Sequence, residues 1–303
     1  MMFYGISLGR RYTQKQKQYF YEELCKRFRK LDYKIDLQSE ASRFNSVNNI
    51  IIGDIKKAKT VIAAAYDTPS KIKFYSVDYY PFNAKKNIQT EVFYSIFQML
   101  VSSLLFLALY FLLRNWFDYR LLVKIATGFL TVVGLLFTYW LMRTTVNPVN
   151  FNRNSAALAI IDVLARKHKA HEVAFVLLDM TVNSYKGLRL ASELFPRKRV
   201  ILLDSLAHGE RLVLAHRPNC DVTVYLGNKD LNIQDKVYDE VQAANNQLSF
   251  LPKGLILCSG SIKKGQFVVK KTRNNKDINL DIERLEAIAK VLSEDIKKQN
   301  SKQ

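Results

Sequence analysis

The stretch "TVIAAAYDTPS", Thr60 to Ser70, runs a β-branched and alanine-rich segment straight into Tyr66 and Asp67 and stops at a proline. A segment apolar on both faces reads as a strand buried in the middle of a sheet. Delivering an Asp to the end of such a strand is a common way to build a catalytic site. No histidine accompanies this one, and the whole 303-residue chain has four. The first question is therefore whether Asp67 marks a metal site or an ordinary strand end.

The same pattern recurs on both sides. "NNIIIGDI" (48–55) predicts a strand joined to Thr60–Ser70 by a tight connection through Gly53 and Asp54. "EVAFVLLDM" and "RKRVILLDSL" predict further buried strands, separated by a helix over "YKGLRLASELF". "ERLVLAH", "VTVYLG", "KGLILCSG" and "GQFVVKK" are read as strands. "IQDKVYDEVQAANNQL" and "DIERLEAIAKVLSEDIKK" are read as helices. "NSAALAIIDVLARKH" predicts a helix from Ser155 to about His168, capped by Asn154 or Ser155. Near the start, Thr13 and Gln16 have the spacing of a capping box, and Phe20, Leu24, Phe28, Leu31 and Ile35 recur at helical spacing. Alternating strands and helices with several uniformly apolar strands imply an α/β domain, a mixed, mostly parallel sheet covered by helices on both faces.

Between the two parts of this pattern lies a different kind of sequence. "VFYSIFQMLVSSLLFLALYFLL" (Val92 to Leu113) has no charge, and "LLVKIATGFLTVVGLLFTYWLM" (Leu121 to Met142) carries only Lys124. Each is long enough to cross a bilayer as a helix. Trp116, Phe117, Tyr119, Tyr139 and Trp140 fall near the ends, where amphipathic rings prefer to sit. The connector "RNWFDYR" is short, so the pair forms a hairpin with both flanks on one side. Lys85, Lys86 and Arg143 flank it, while Arg114 and Arg120 oppose them from the connector. A long basic N-terminal segment without a signal peptide favours the cytoplasm for both flanks. The expected organisation is residues 1–91 and 143–303 as one cytosolic α/β domain, interrupted by a transmembrane hairpin at 92–142.

Composition sets outer bounds. The formal net charge of +19 favours anionic surfaces, either nucleic acid or the acidic inner leaflet. The basic runs "RRYTQKQK", "KRFRK" and "PRKR" are scattered without an aromatic-interleaved recognition motif, which points to lipid headgroups over nucleic acid. Three widely spaced cysteines, Cys25, Cys220 and Cys258, form neither a disulfide framework nor a zinc pattern. His168 and His171 lie at a charged helix end and are expected at the surface; His208 and His216 flank a strand. Neither pair has zincin spacing. Ser70, Ser155, Ser184 and Ser205 lack a nucleophile elbow.

In order, "AAYDT", "FNRNSAALAIIDVLA", "FVLLDMTVNSYKGLRLAS", "RVILLDSLAHG" and "KKTRNNKDINLDIERLEAIAKVL" resemble the landmarks of the di-zinc aminopeptidase family. That family includes bacterial leucyl aminopeptidases, glutamate carboxypeptidase II and the transferrin receptor ectodomain. The resemblance covers the soluble chain from about Asn48 onward and implies a zinc-aminopeptidase-like fold. It also implies that most ligands are missing. The first metal-binding His position corresponds to Ala65, the bridging Asp to Arg153, the paired glutamates to about Ser184 and Tyr185, and the last His to Lys270 or Lys271. Asp204, at a zinc-ligand position, and Asp67, beside the site, remain acidic. The resemblance thus implies a degenerate cleft with no metal and no cofactor, in which Asp67 and Arg153 are expected to pair.

Three functions follow as expectations. The first is a catalytically inactive, membrane-anchored subunit that binds an integral membrane partner, such as a transporter or a membrane enzyme. Its hairpin would pack through the small residues Ser102, Ser103, Ala108, Gly128 and Gly134. The second is a membrane metallo-aminopeptidase with an atypical site built on Asp67, Asp179 and Asp204. The third is a basic nucleic-acid-binding protein at the membrane.

Overall fold

In a computed structural model, which describes residues 1–41, 46–73, 76–182, 184–196, 198–274 and 276–301, Thr60–Ala65 is a fully buried strand. Its neighbours in the sheet are equally apolar. In chain order the elements are helix α1 (Gln14–Arg29), strands β1 (Ile35–Ala41), β2 (Ser46–Ile52) and β3 (Thr60–Ala65), then the long helices α2 (Ala84–Leu113) and α3 (Leu121–Met142). Helix α4 (Ala156–Lys167), β4 (Val173–Leu178), α5 (Lys186–Ser192), β5 (Arg199–Asp204), β6 (Arg211–His216) and the short α6 (Thr223–Leu226) follow. The chain ends with β7 (Ile233–Val237), α7 (Glu240–Ala244), β8 (Gly254–Lys263), β9 (Gln266–Val268) and α8 (Ile282–Ser301).

The strands form one mixed sheet in the order β1-β2-β4-β3-β5-β8-β6-β7, with β9 paired to β8. The central four, β4, β3, β5 and β8, run parallel, while β1, β2 and β6 join antiparallel. Side-chain alternation divides the core by face. Ile62, Ala64, Phe175, Leu177, Ile201 and Leu203 pack with Phe20, Leu24 and Phe28 of α1, with α4 and with α8. Val61, Ala63, Val176, Leu178, Val200 and Leu202 pack with Leu188 and Ala191 of α5 and with Leu248 and Leu251. A sheet covered on both faces requires this near-continuous apolar sequence in its central strands.

The Thr13–Gln16 capping box is present, and it fixes the start of α1. Some local expectations change. Ile35 lies in β1, because α1 ends at Arg29 and the chain turns through Asp32, a residue with φ of 60°. "VTVYLG" is helical rather than extended: Asp221 accepts from both the amide and the hydroxyl of Thr223, and Tyr225 is buried with its hydroxyl on Asp295. The stretch read as one helix after Ile233 instead begins with an edge strand, β7, paired parallel to β6, before α7 starts at the Asp239 cap. Ser155 does not cap α4; its hydroxyl donates to the Tyr4 carbonyl.

The chain divides into two compact units, Met1–Asn87 with Val146–Gln303, and Ile88–Thr145. The second unit contains most of α2 and all of α3. Both helices are long and apolar enough to cross a membrane, with mean hydropathy 2.3 and 2.0 over the most apolar window. Only 6% and 11% of those windows are buried, which is not how core helices of a soluble domain behave. The hydroxyls of Thr127, Thr131 and Thr138 each bond a carbonyl four residues back, which satisfies them inside an apolar helix. Gln98 reaches across to the Leu141 carbonyl at 3.0 Å, and Gly134 makes room for Leu109. Ser102 is buried, and Gly128 faces the Trp116 ring. Ser103 and Ala108 are exposed and stand outside this packing; consecutive residues on a helix point about 100° apart, so Ser102 and Ser103 do not share a face.

Candidate functional site

The carboxyl ends of the parallel strands deliver three acids to one edge of the sheet. Asp67 lies two residues beyond β3, Asp179 directly follows β4, and Asp204 ends β5. This edge is where ligands bind in open α/β sheets. Asp179 and Asp204 are each followed by a left-handed non-glycine residue, Met180 with φ of 49° and Ser205 with φ of 57°. The turned-back main chain serves the acids: the Met180 amide donates to Asp179 at 2.8 Å, and the Ser205 hydroxyl donates to Asp204 at 2.8 Å.

Each acid is already engaged. Asp204 receives the guanidinium of Arg153, the Tyr79 hydroxyl at 2.7 Å and the Gln247 amide at 3.5 Å. The Arg153 guanidinium also lies over the Tyr79 ring, 3.7 Å from its centroid. Asp179, fully buried, takes Lys17 Nζ at 2.5 Å and the Asn48 amide at 3.2 Å. Asp67 accepts the Thr181 amide at 2.9 Å, its hydroxyl at 2.5 Å and the Val182 amide at 3.3 Å. The expected Asp67–Arg153 pair is therefore replaced by Asp204–Arg153, because Thr181 and Val182 occupy the Asp67 oxygens.

A third buried cation completes the group. Arg11 donates to the carbonyls of Tyr66 at 2.5 Å, Tyr4 at 2.8 Å and Leu8, and to the Ser155 hydroxyl at 3.2 Å. Lys17, Arg11 and Arg153 thus stand among Asp179, Asp67 and Asp204, so buried charge balances within the cluster. The fields interlock. Burial alone would lower the Arg153 pKa, but Asp204, Tyr79 and Asp67 together hold it above its ordinary value. Burial and then the Asp179 charge raise the Asp67 carboxyl, while Thr181, Lys17 and Arg153 restrain the rise.

Of the residues expected here, Ala65, Tyr185, Arg153 and Asp204 line one residual cavity of about 20 Å³, together with Tyr79 and Gln247. That is room for about one water. The Tyr185 hydroxyl is buried and meets no partner at full hydrogen-bond geometry among the described residues, with Gln247 the polar side chain beside it. Ser184 bonds the Met180 carbonyl at 3.0 Å and is not among the lining residues. Lys270 departs from expectation: it is exposed and pairs with Glu210 at 3.4 Å, since the preceding Val269 is bound through its main chain to Tyr79. Lys271 is also exposed. Sequence reasoning missed all four of Arg11, Lys17, Tyr79 and Gln247: Arg11 and Lys17 were read only as part of the basic run "RRYTQKQK" yet are buried, and Tyr79 and Gln247 come from segments that carry no signature of their own.

Zinc requires donors with lone pairs at about 2.0–2.3 Å. Ala65 offers a methyl group, Arg153 brings a permanent positive charge, and the Asp204 oxygens are taken by four donors. The residues present do not fit a di-zinc centre. Among the described residues no group of three or more His, Cys, Asp or Glu side chains is arranged to hold a metal. The histidines do not rebuild one. His168, expected at the surface, is buried where α4 meets α8, bonded to Ser293 at 2.8 Å and Glu172 at 3.2 Å, and burial lowers its pKa. His216 is buried and bonds Asp235 of the edge strand at 2.8 Å, while His171 and His208 are exposed.

Below Arg153, Asp277 accepts the main-chain amides of Asn152 at 2.9 Å and Arg153 at 3.4 Å and so holds the turn that presents the guanidinium. Burial pushes its carboxyl up to about 7. An acid raised in the folded state binds its proton more tightly there than in the unfolded chain. Its stabilising contribution is therefore complete below about pH 4 and is lost as pH rises to about 7. Stability should decline across that window with a slope approaching ~1.4 kcal/mol per pH unit, set against the wild-type background. Asp277→Asn should flatten that part of the curve, as read from thermal unfolding between pH 4 and 8.

No protein-family model matches the chain, and no curated protein matches it in sequence. Solved structures do match in shape. A glutaminyl cyclase from Porphyromonas gingivalis superposes with a TM-score of 0.55 at 12% identity, covering 97% of this chain and 94% of its own. The LapA aminopeptidase of Legionella pneumophila gives 0.52 at 10% identity over 98% of this chain, which spans 65% of that enzyme's length. A glutaminyl cyclase from Macrostomum lignano gives 0.50 at 11% identity, covering 94% of this chain and 83% of its own. Identities this low speak for the fold alone, and the fold they identify is the zinc-aminopeptidase-like α/β sheet that aminopeptidases and glutaminyl cyclases share.

Proposed function

We propose that the chain is a catalytically inactive, membrane-anchored protein of aminopeptidase-like fold that serves as a binding, scaffold or regulatory subunit of a membrane protein complex. The observation that carries this reading is Arg153 seated on Asp204 where a metal-binding fold would keep open carboxylates. α2 and α3 serve as the anchor, with both soluble segments on the cytoplasmic side. Two helices alone cannot enclose a transport path, but their exposed apolar faces suit packing against an integral membrane partner such as a transporter or membrane enzyme.

Two measurements test this. Protein purified in mild detergent and analysed for metal should contain far less than one zinc per chain; a content near two would overturn the inactive reading. Purification from native membranes should bring down an integral membrane protein in fixed proportion, identified by mass spectrometry. Isolation as a lone monomer from those membranes counts against a subunit role. An enzymatic alternative would have to work with Asp67, Asp179 and Asp204, each already bonded to a cation or to main-chain donors. Hydrolysis of aminoacyl-coumarin substrates that vanishes in Asp204→Ala would establish it instead.

A further inference from the structure

The α/β unit gives way to the apolar helices at Asn87 and resumes at Val146. Segments far apart in sequence gather at these two junctions. Val146 bridges Ser70, and Ser70 in turn is held by Arg273 through its carbonyl at 2.9 Å and its hydroxyl at 2.6 Å. The Ile72 amide bonds the Arg273 carbonyl at 3.1 Å. On the other side, Tyr79 bridges Val269. The β8–β9 turn is tied to the chain entering α2, with Lys263 on Asp78 at 2.5 Å and Lys86 on Gln266 at 2.5 Å. Four stretches, around residues 70–73, 78–87, 262–266 and 269–273, therefore share one rim of the unit.

This rim is basic. Lys85, Lys86, Lys263, Lys264, Lys270 and Lys271 lie on it, the last four and Lys85 solvent-exposed, against the partly covered carboxylate of Asp78 and the exposed one of Glu210. The β8–β9 turn is rigid in shape: Lys264 and Gly265 have φ of 49° and 72°, the paired left-handed conformation of a tight hairpin turn. Next to it Ile262 is 43% exposed, and Ile278, beyond the second lysine stretch, is 55% exposed. Lysines interspersed with exposed aliphatic side chains are the composition of surfaces that settle on anionic bilayers.

We infer that this rim is a basic collar that binds the anionic headgroups of the bilayer entered by α2 and α3. The inference rests on the reading of those helices as the membrane anchor. The collar shares its stretches of chain with Asn87 and neighbours Val146, the residues that lead into and out of the apolar helices, and its charge is felt by anionic headgroups over a Debye length of ~8 Å. The exposed pair Lys270–Glu210 is weak in water and yields readily to a dense array of lipid phosphates and carboxylates, whereas Asp78 is largely covered and keeps Lys263 in place while its exposed ammonium still faces solvent.

The test uses the full chain in nanodiscs of phosphatidylcholine, with or without phosphatidylserine as about a third of the lipid. Amide hydrogen exchange over 262–271 should slow at least about threefold in the anionic discs relative to the neutral ones. The Lys264→Glu/Lys271→Glu variant should lose that difference. Lys56→Glu/Lys57→Glu, the same charge change at the opposite end of the parallel strands, should keep it. Equal exchange in both lipids would overturn the collar while leaving the anchor intact, since the protein resides in the discs. Loss of the effect in both variants would reduce it to net charge and likewise overturn the collar. A chain that stays in the aqueous fraction without detergent would overturn the anchor itself.

Discussion

Arg153→Met should destabilise the α/β unit by about 3–5 kcal/mol, because it leaves Asp204 buried with its cation removed. The side chains of this pair are 4% and 6% exposed, so water cannot replace the guanidinium. Tyr79, Ser205 and Gln247 remain as donors, and they place the loss within that range rather than above it. The second variant decides between a structural and a dispensable role. Arg153→Met combined with Asp204→Leu removes both charges at once and should recover most of the stability, since a buried pair replaced by apolar groups of similar volume is often neutral or better. In that variant the Gln247 amide still donates to the Tyr79 oxygen at 3.1 Å and to the Pro81 carbonyl at 3.3 Å, but the Tyr79 and Ser205 hydroxyls lose Asp204 as acceptor, so the recovery stops short of wild type. Cys25 and Cys258 are buried in this unit, so a thiol-reactive dye reports its thermal unfolding in detergent. The single variant should melt about 10 °C below wild type, and the double variant close to it. Equal melting of wild type and single variant would mean that the cluster does not hold the strand ends together.

The central sheet was legible because its strands obey one rule, continuous apolarity between polar turns, and the same rule marked α2 and α3 by length. The errors fall at the edges. β1 and β7 are edge strands whose residues are largely exposed and carry little hydrophobic signal, so "IDLQSEA" drew no strand reading beyond Ile35, which was taken with the helix before it, and "IQDKV" was absorbed into the helix that follows it. "VTVYL" is the reverse case, a β-branched run turned helical by the Asp221 side chain and the buried Tyr225–Asp295 bond. Local propensity gave way to tertiary contacts in each. The basic run at 196–199 contains Arg197, which lies outside the described residues.

The site was legible only in part, and for a related reason. Ala65, Arg153 and Asp204 were found by position along a family pattern, which orders residues on strands well. That pattern does not say which acid an arginine reaches. Asp67 is the nearer choice in sequence logic, yet its oxygens are filled by Thr181 and Val182 from the turn after β4. Tyr79 and Gln247, which close the cluster, come from a loop and a single 3₁₀ turn, and Lys17 projects from the first turn of a helix whose lysines were read as a solvent or headgroup face. Polar residues that act through tertiary contact leave no periodic trace.

Arg11→Leu is expected to be as damaging as Arg153→Met, at about 3–5 kcal/mol, and for it no second substitution should rescue. Arg11 is fully buried, and burial lowers its pKa only to about 10, so it is charged at neutral pH. Its guanidinium is held by main-chain carbonyls of Tyr4, Leu8 and Tyr66 and by the Ser155 hydroxyl, and it lies 5.3 Å from the Phe20 ring. One side chain thereby ties the N-terminal turn to the end of β3 and the start of α4. Main-chain carbonyls cannot be mutated away, so removing the arginine strands acceptors that no apolar partner can match. Arg11→Lys keeps the charge but loses the planar fork, since an ammonium has three donors and cannot reach carbonyls on opposite sides. It should therefore melt between Arg11→Leu and wild type. If Arg11→Lys melts with wild type, the charge alone matters and the fork is incidental. If Arg11→Leu does too, the N-terminal turn is not anchored to the strand ends in the way these bonds require.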